Sequence, residues 1–103
     1  QSNLALMKPT AVLINVARGE VIDETALAEA LAAGRLGGAA LDVFAAEPIS
    51  PANPVLTAAG DKLLLSPHVA GVSQEAQGRI ITMTIENIAR VMRGQEPWNL
   101  VNA

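Results

Sequence analysis

Three short aliphatic runs, each opening into a polar loop, constrain this chain more than any other feature. Ala11-Val12-Leu13-Ile14 follows Pro9 with no helical period. Ala39-Ala40-Leu41-Asp42-Val43-Phe44 follows the Gly37-Gly38 break, and Leu63-Leu64-Leu65 runs into Ser66-Pro67-His68. Short, nearly continuous apolar runs suit strands of a parallel sheet, whose two faces are normally covered. Between the first two runs the pattern predicts a helix over 24–33. Asp23 is its N-cap, Ile22 and Leu27 form a hydrophobic staple, Leu27, Ala30 and Leu31 share one face, and Gly34 stops it. Strand, helix, strand is one βαβ unit, which is right-handed by rule.

Pro48, Pro51 and Pro54 then exclude regular helix, leaving a loop and one short helical turn over 55–59. Ser73 caps a long last helix, with Glu75 in its first turn. Ile81, Ile85, Ile88 and Met92 form its apolar stripe, widened by Thr84 and Val91, and Gly94 ends it. The tail Glu96-Pro97-Trp98-Asn99 is expected to be extended. The expected fold is therefore α/β: a partial, Rossmann-like parallel sheet of about three strands, with flanking helices and a long C-terminal helix. Three parallel strands leave two edges open, which points to part of a larger doubly wound sheet.

Composition narrows the function. Only one Phe and one Trp occur among 103 residues, so the core must be aliphatic and base stacking has no platforms. The net charge of −3, with no basic cluster, argues against a nucleic-acid partner. Cysteine is absent, which excludes thiolate metal sites and suits a cytoplasmic protein. No apolar run is long enough for a membrane span, and no signal peptide is expected, since no charged segment followed by an apolar one opens these residues. Gln1-Ser2-Asn3 reads as a tag remnant.

Ligands of parallel α/β sheets bind beyond the carboxyl ends of the strands. The first run leads to Asn15 and Arg18, the second to Asp42 and Glu47, the third to Ser66 and His68, the only histidine. Arg18, Asp42, Glu47 and His68 each have an ordinary reading as a capping, ion-paired or solvated residue; their convergence on one sheet edge weighs against four such coincidences. Arg can grip a carboxylate in two parallel hydrogen bonds. His can exchange a proton near neutral pH, and a bonded carboxylate orients it. Such a set suits a 2-oxo acid, with hydride supplied by a nicotinamide.

Ile14-Asn15-Val16-Ala17-Arg18-Gly19-Glu20-Val21-Ile22-Asp23 resembles the Arg-containing motif of the D-isomer-specific, NAD-dependent 2-hydroxyacid dehydrogenases. Ala39 to Pro48 resembles their Glu motif, and Ser66-Pro67-His68-Val69-Ala70-Gly71 their His motif. The resemblance implies an oxidoreductase that moves a hydride between NAD, or NADP, and a D-2-hydroxy acid or 2-oxo acid. Arg18, Glu47 and His68 would be catalytic. Val16, Ala17, Arg18, Asp42, His68, Val69, Ala70 and Gly71 would line the cofactor site, with no metal. It also implies a homodimer, residues 4–72 as the later part of an NAD-binding domain, and residues 73–103 as an arm returning toward a substrate domain. Gly34-Arg35-Leu36-Gly37-Gly38 follows a helix and precedes a strand, so it does not match the G-x-G-x-x-G phosphate loop, which is expected upstream. Two other classes stay open: a non-catalytic binding module, and a structural fragment inactive alone.

Overall fold

A computed structural model describes residues 3–101, in two compact units that meet in sequence between Ala70 and Gly71. The first unit carries β1 (Val12–Asn15), α1 (Glu24–Ala32), β2 (Gly38–Leu41), α2 (Pro54–Ala58) and β3 (Leu63–Leu65). The strands are parallel in the order β1-β2-β3, with Leu13 opposite Ala39 and Ala39 opposite Leu63. Two parts of the tag-remnant reading, residues 1 and 2, lie outside the described residues; Asn3 precedes a 3₁₀ turn at Leu4–Leu6.

The apolar runs become strands because their alternate side chains have somewhere to go. Leu13, Ala39 and Leu63 sit in or against the core, together with Leu41. The core itself is Leu27 and Leu31 of α1, Val55 of α2, Leu36 and Phe44. Leu27 and Val55 are fully buried, and each such side chain contributes roughly 1.5–3 kcal/mol of transfer free energy. Ile14 and Leu64, which point the other way, are 69% and 71% exposed. The strands were expected to be buried on both faces; within this unit one face is covered.

α1 starts where predicted. The Asp23 side chain accepts from the Ala26 amide at 3.0 Å, and Gly34, at φ +67°, follows the last turn. β2, in contrast, ends at Leu41 rather than at Phe44. The ladder persists one step further, as Asp42 N–H bonds to Asn15 O at 2.9 Å. It then stops because Phe44 N–H turns to the Glu47 side chain.

The second unit contains α3 (Gln74–Met92), capped by Ser73, whose hydroxyl accepts from Ala76 N–H. The predicted stripe is present in α3, yet none of its residues is buried. The tail is not extended throughout. Asn99 adopts φ +59°, because Asn87 holds the Trp98 backbone at N–H and carbonyl. Arg90 adds a cation–π contact, 4.8 Å from the Trp98 ring centroid.

Candidate active site

Each parallel strand delivers its polar loop to the same end of the sheet. After β1, Asn15 is 4% exposed and folds its amide over the chain that follows. Its Nδ2 donates to Arg18 O at 2.9 Å, and its Oδ1 accepts from Ala17 N–H at 3.1 Å. This Asx turn presents Arg18 in extended backbone at the surface. The guanidinium Nη1 donates to Ala17 O at 2.7 Å, and among the described residues no carboxylate pairs with it.

Gly19 is the reason the Arg18 loop can reach the next one. A Cβ at position 19 would lie 1.9 Å from the Phe44 carbonyl carbon and 2.2 Å from Ala45 N. Only a residue without a side chain permits that approach.

After β2, the backbone turns so that Glu47 points back. Its Oε1 accepts from Phe44 N–H at 3.0 Å, and its Oε2 meets His68 Nδ1 at 2.8 Å. Those two partners, the His68 ring first and the Phe44 amide second, hold the Glu47 carboxyl below the usual carboxylate range.

After β3, His68 stands in the left-handed region at φ +56°, a conformation that needs support from its surroundings. Asp42 supplies it. The Asp42 carboxylate accepts from the Ser66 hydroxyl, from Val69 N–H at 2.9 Å and from Ala70 N–H at 2.9 Å. Its own carbonyl accepts from His68 N–H at 2.9 Å. The Ser66 bond first, then the Ala70 amide, depress the Asp42 carboxyl. Asp42 is 3% exposed, so its carboxylate serves the His68 loop directly.

Arg18, Glu47 and His68 thus line one cleft of about 190 Å³, floored by Val43 and Phe44. Sequence reasoning found these three and Asp42. It missed the work of Asn15, Gly19 and Ser66 as supports, and it missed Glu24 and Asn53 altogether. Glu24 Oε1 accepts from Ala45 N–H at 2.8 Å, and Glu24 Oε2 from Asn53 Nδ2 at 2.6 Å. Nothing periodic marks such bonds between distant segments; the only hint was a polar residue in or beside an apolar run.

Val16 and Val69, near Arg18 and His68 in sequence, are exposed apolar side chains that can face a planar ring. A glycine-rich strand-to-helix turn with N–H groups aimed at a pyrophosphate is not found among the described residues. No group of three His, Cys, Asp or Glu among the described residues could hold a metal ion, and no helix is long and apolar enough to cross a membrane.

Comparison with known proteins gives the family and the fold. The family described as D-isomer specific 2-hydroxyacid dehydrogenase, NAD binding domain, matches residues 1–70. A glyoxylate reductase of Korarchaeum cryptofilum is 44% identical over 102 residues, which is 99% of this chain and 30% of that protein. A D-3-phosphoglycerate dehydrogenase of Methanocaldococcus jannaschii is 44% identical over 99% of this chain and 19% of its own length. The crystal structure of a D-isomer specific 2-hydroxyacid dehydrogenase from Xanthobacter autotrophicus Py2, in complex with NADPH and MES, superposes with a TM-score of 0.77 at 38% identity. That match covers 98% of this chain and 40% of the other. The chain therefore spans less than half the length of these relatives.

Proposed function

The chain belongs to the NAD-binding-domain family of the D-isomer-specific 2-hydroxyacid dehydrogenases, and on that footing we propose that it carries the catalytic side chains of an enzyme interconverting a 2-oxo acid and a D-2-hydroxy acid. The observation behind this reading is the 2.8 Å bond between Glu47 and His68 in a cleft that Arg18 also lines.

When bound, the nicotinamide supplies the hydride that reduces the carbonyl carbon. Every other task falls to this chain. Glu47 engages His68 Nδ1 and fixes the ring, so Nε2 is the nitrogen that exchanges a proton. In reduction, protonated His68 gives that proton to the carbonyl oxygen as negative charge develops there. In oxidation, neutral His68 takes it from the hydroxyl. Glu47 stays ionised throughout and stabilises the imidazolium. Arg18 keeps Nε and Nη2 for the substrate carboxylate, and its charge polarises the adjacent carbonyl.

Val16, Ala17, Arg18, His68, Val69 and Ala70 form the cofactor-facing surface in this reading, with the buried Asp42 holding the backbone of Val69 and Ala70 behind it. NAD is the expected cofactor, with NADP as the variant, since the Xanthobacter relative binds NADPH. Glyoxylate is the first substrate to try, after the Korarchaeum relative. We place residues 4–72 in the later part of the dinucleotide domain and residues 73–103 in the arm toward a substrate domain. A cytoplasmic homodimer without nucleic-acid or membrane partner completes the proposal; the net charge of −3 weighs against the nucleic-acid partner alone.

The test is a chimera in which this chain replaces the matching 30% of the Korarchaeum cryptofilum enzyme. It should oxidise NADH with glyoxylate. His68→Asn, which tolerates positive φ, should lower kcat by ~10²–10⁴ while NADH binding stays intact. Equal turnover in His68→Asn would remove His68 from the mechanism.

A further inference from the structure

We infer that Glu24 is a positioning residue that holds Glu47 against His68, acting through the Phe44–Ala45 peptide and the Asn53 side chain. The inference rests on the proposed roles of Glu47 and His68.

Glu24 opens α1, where a carboxylate is expected to serve only the helix end. Its two oxygens instead leave the helix. One accepts from Ala45 N–H at 2.8 Å and the other from Asn53 Nδ2 at 2.6 Å. These contacts bracket the loop that bears Glu47. Asn53 is itself fixed, because its Oδ1 caps α2 by accepting from Val55 N–H. On the inner side, the same Phe44–Ala45 peptide touches Gly19, and the preceding amide, Phe44 N–H, donates to Glu47. Three functional segments therefore meet on the two consecutive peptides that flank Phe44; the buried Phe44 side chain anchors them from within, and Glu24 fastens the Ala45 side.

The chemistry of the tie permits a swap. Glu24→Gln keeps one acceptor and gains a donor, so an NH₂ must face either Ala45 N–H or the Asn53 NH₂. Asn53→Asp alone sets two carboxylates against each other. Together, Glu24→Gln and Asn53→Asp restore matched pairs. The glutamine oxygen accepts from Ala45 N–H, and the glutamine NH₂ donates to the new carboxylate at position 53. That carboxylate's second oxygen still caps α2.

The readout is the Glu47 carboxyl titration, followed by ¹³C NMR in this chain. In the native sequence it lies below the ordinary range, owing to His68 and Phe44 N–H. Each single variant should shift its midpoint upward, toward ordinary glutamate, and the double variant should return it. A folded Glu24→Gln chain with an unshifted Glu47, or a double variant as shifted as the singles, overturns the inference. If Glu24→Gln fails to fold, the double variant decides: a native-like midpoint supports the tie, and a raised one overturns it. No turnover is measured, so an inactive chimera would count against the dehydrogenase reading alone.

Discussion

Gly19→Ala tests the close approach of the Arg18 and Glu47 loops. The new methyl carbon would lie 1.9 Å from the Phe44 carbonyl carbon and 2.2 Å from both Phe44 O and Ala45 N. Carbon atoms rest at about 3.5–4.0 Å, so the two segments must part by roughly 1.5 Å or more. The obstructing atoms are backbone, hence no rotamer change can relieve the clash. Separation also pulls Phe44 N–H from Glu47 and Ala45 N–H from Glu24. Overpacking in a dense interior typically costs ~1–3 kcal/mol. With backbone on both sides we expect the top of that range, about 3 kcal/mol, read from urea denaturation of this chain. For a unit of this size that corresponds to a fall in Tm of roughly 12–24 °C. Amide hydrogen exchange should quicken at Phe44 and Ala45 in particular. In the chimera, displacing the proposed catalytic groups by an ångström should cost on the order of 10²-fold in kcat. A Gly19→Ala chain within about 0.5 kcal/mol of native stability, with protected Phe44 and Ala45 amides, would refute the argument.

Acid should weaken the fold with a defined sign. Asp42, Glu47 and Glu75 all have carboxyls depressed by hydrogen bonds. The stability they contribute is present above their unfolded values, about 4 to 4.5, and is lost as pH falls through the lower folded values. The urea midpoint should fall as pH drops below about 5. Asp42→Asn should flatten that limb; an unchanged limb would show that the His68 loop does not depend on the ionised carboxylate. Asp23→Ala removes the acceptor for Ala26 N–H and should cost about 1 kcal/mol in urea unfolding, with no change in helix boundaries by NMR.

Much of this was legible in the sequence because it repeats along the chain. Short apolar runs gave β1, β2 and β3, and period, cap and glycine gave α1 and α3. Arg18, Glu47 and His68 were legible because loops after parallel strands share one end of a sheet. The illegible part is made of single bonds between distant segments. Asp42 was read as a cofactor contact, and its three bonds into the His68 loop had no sequence signature. The end of β2 was placed late because Val43 and Phe44 are buried in the core without belonging to the ladder. The Trp98–Asn99 turn was missed because its cause, Asn87, sits eleven residues away on a helix.

The Phe44–Ala45 peptide has a consequence for how this sequence can vary. At position 45 the constraint falls on one amide hydrogen, a group that every residue but proline carries. The exposed Ala45 side chain takes no part in it. A saturation scan should therefore find position 45 permissive to almost everything except proline, while Gly19 and Glu24, which grip it from two sides, accept little. Intolerance in this region would then mark the neighbours of the Ala45 amide and pass over the residue that carries it.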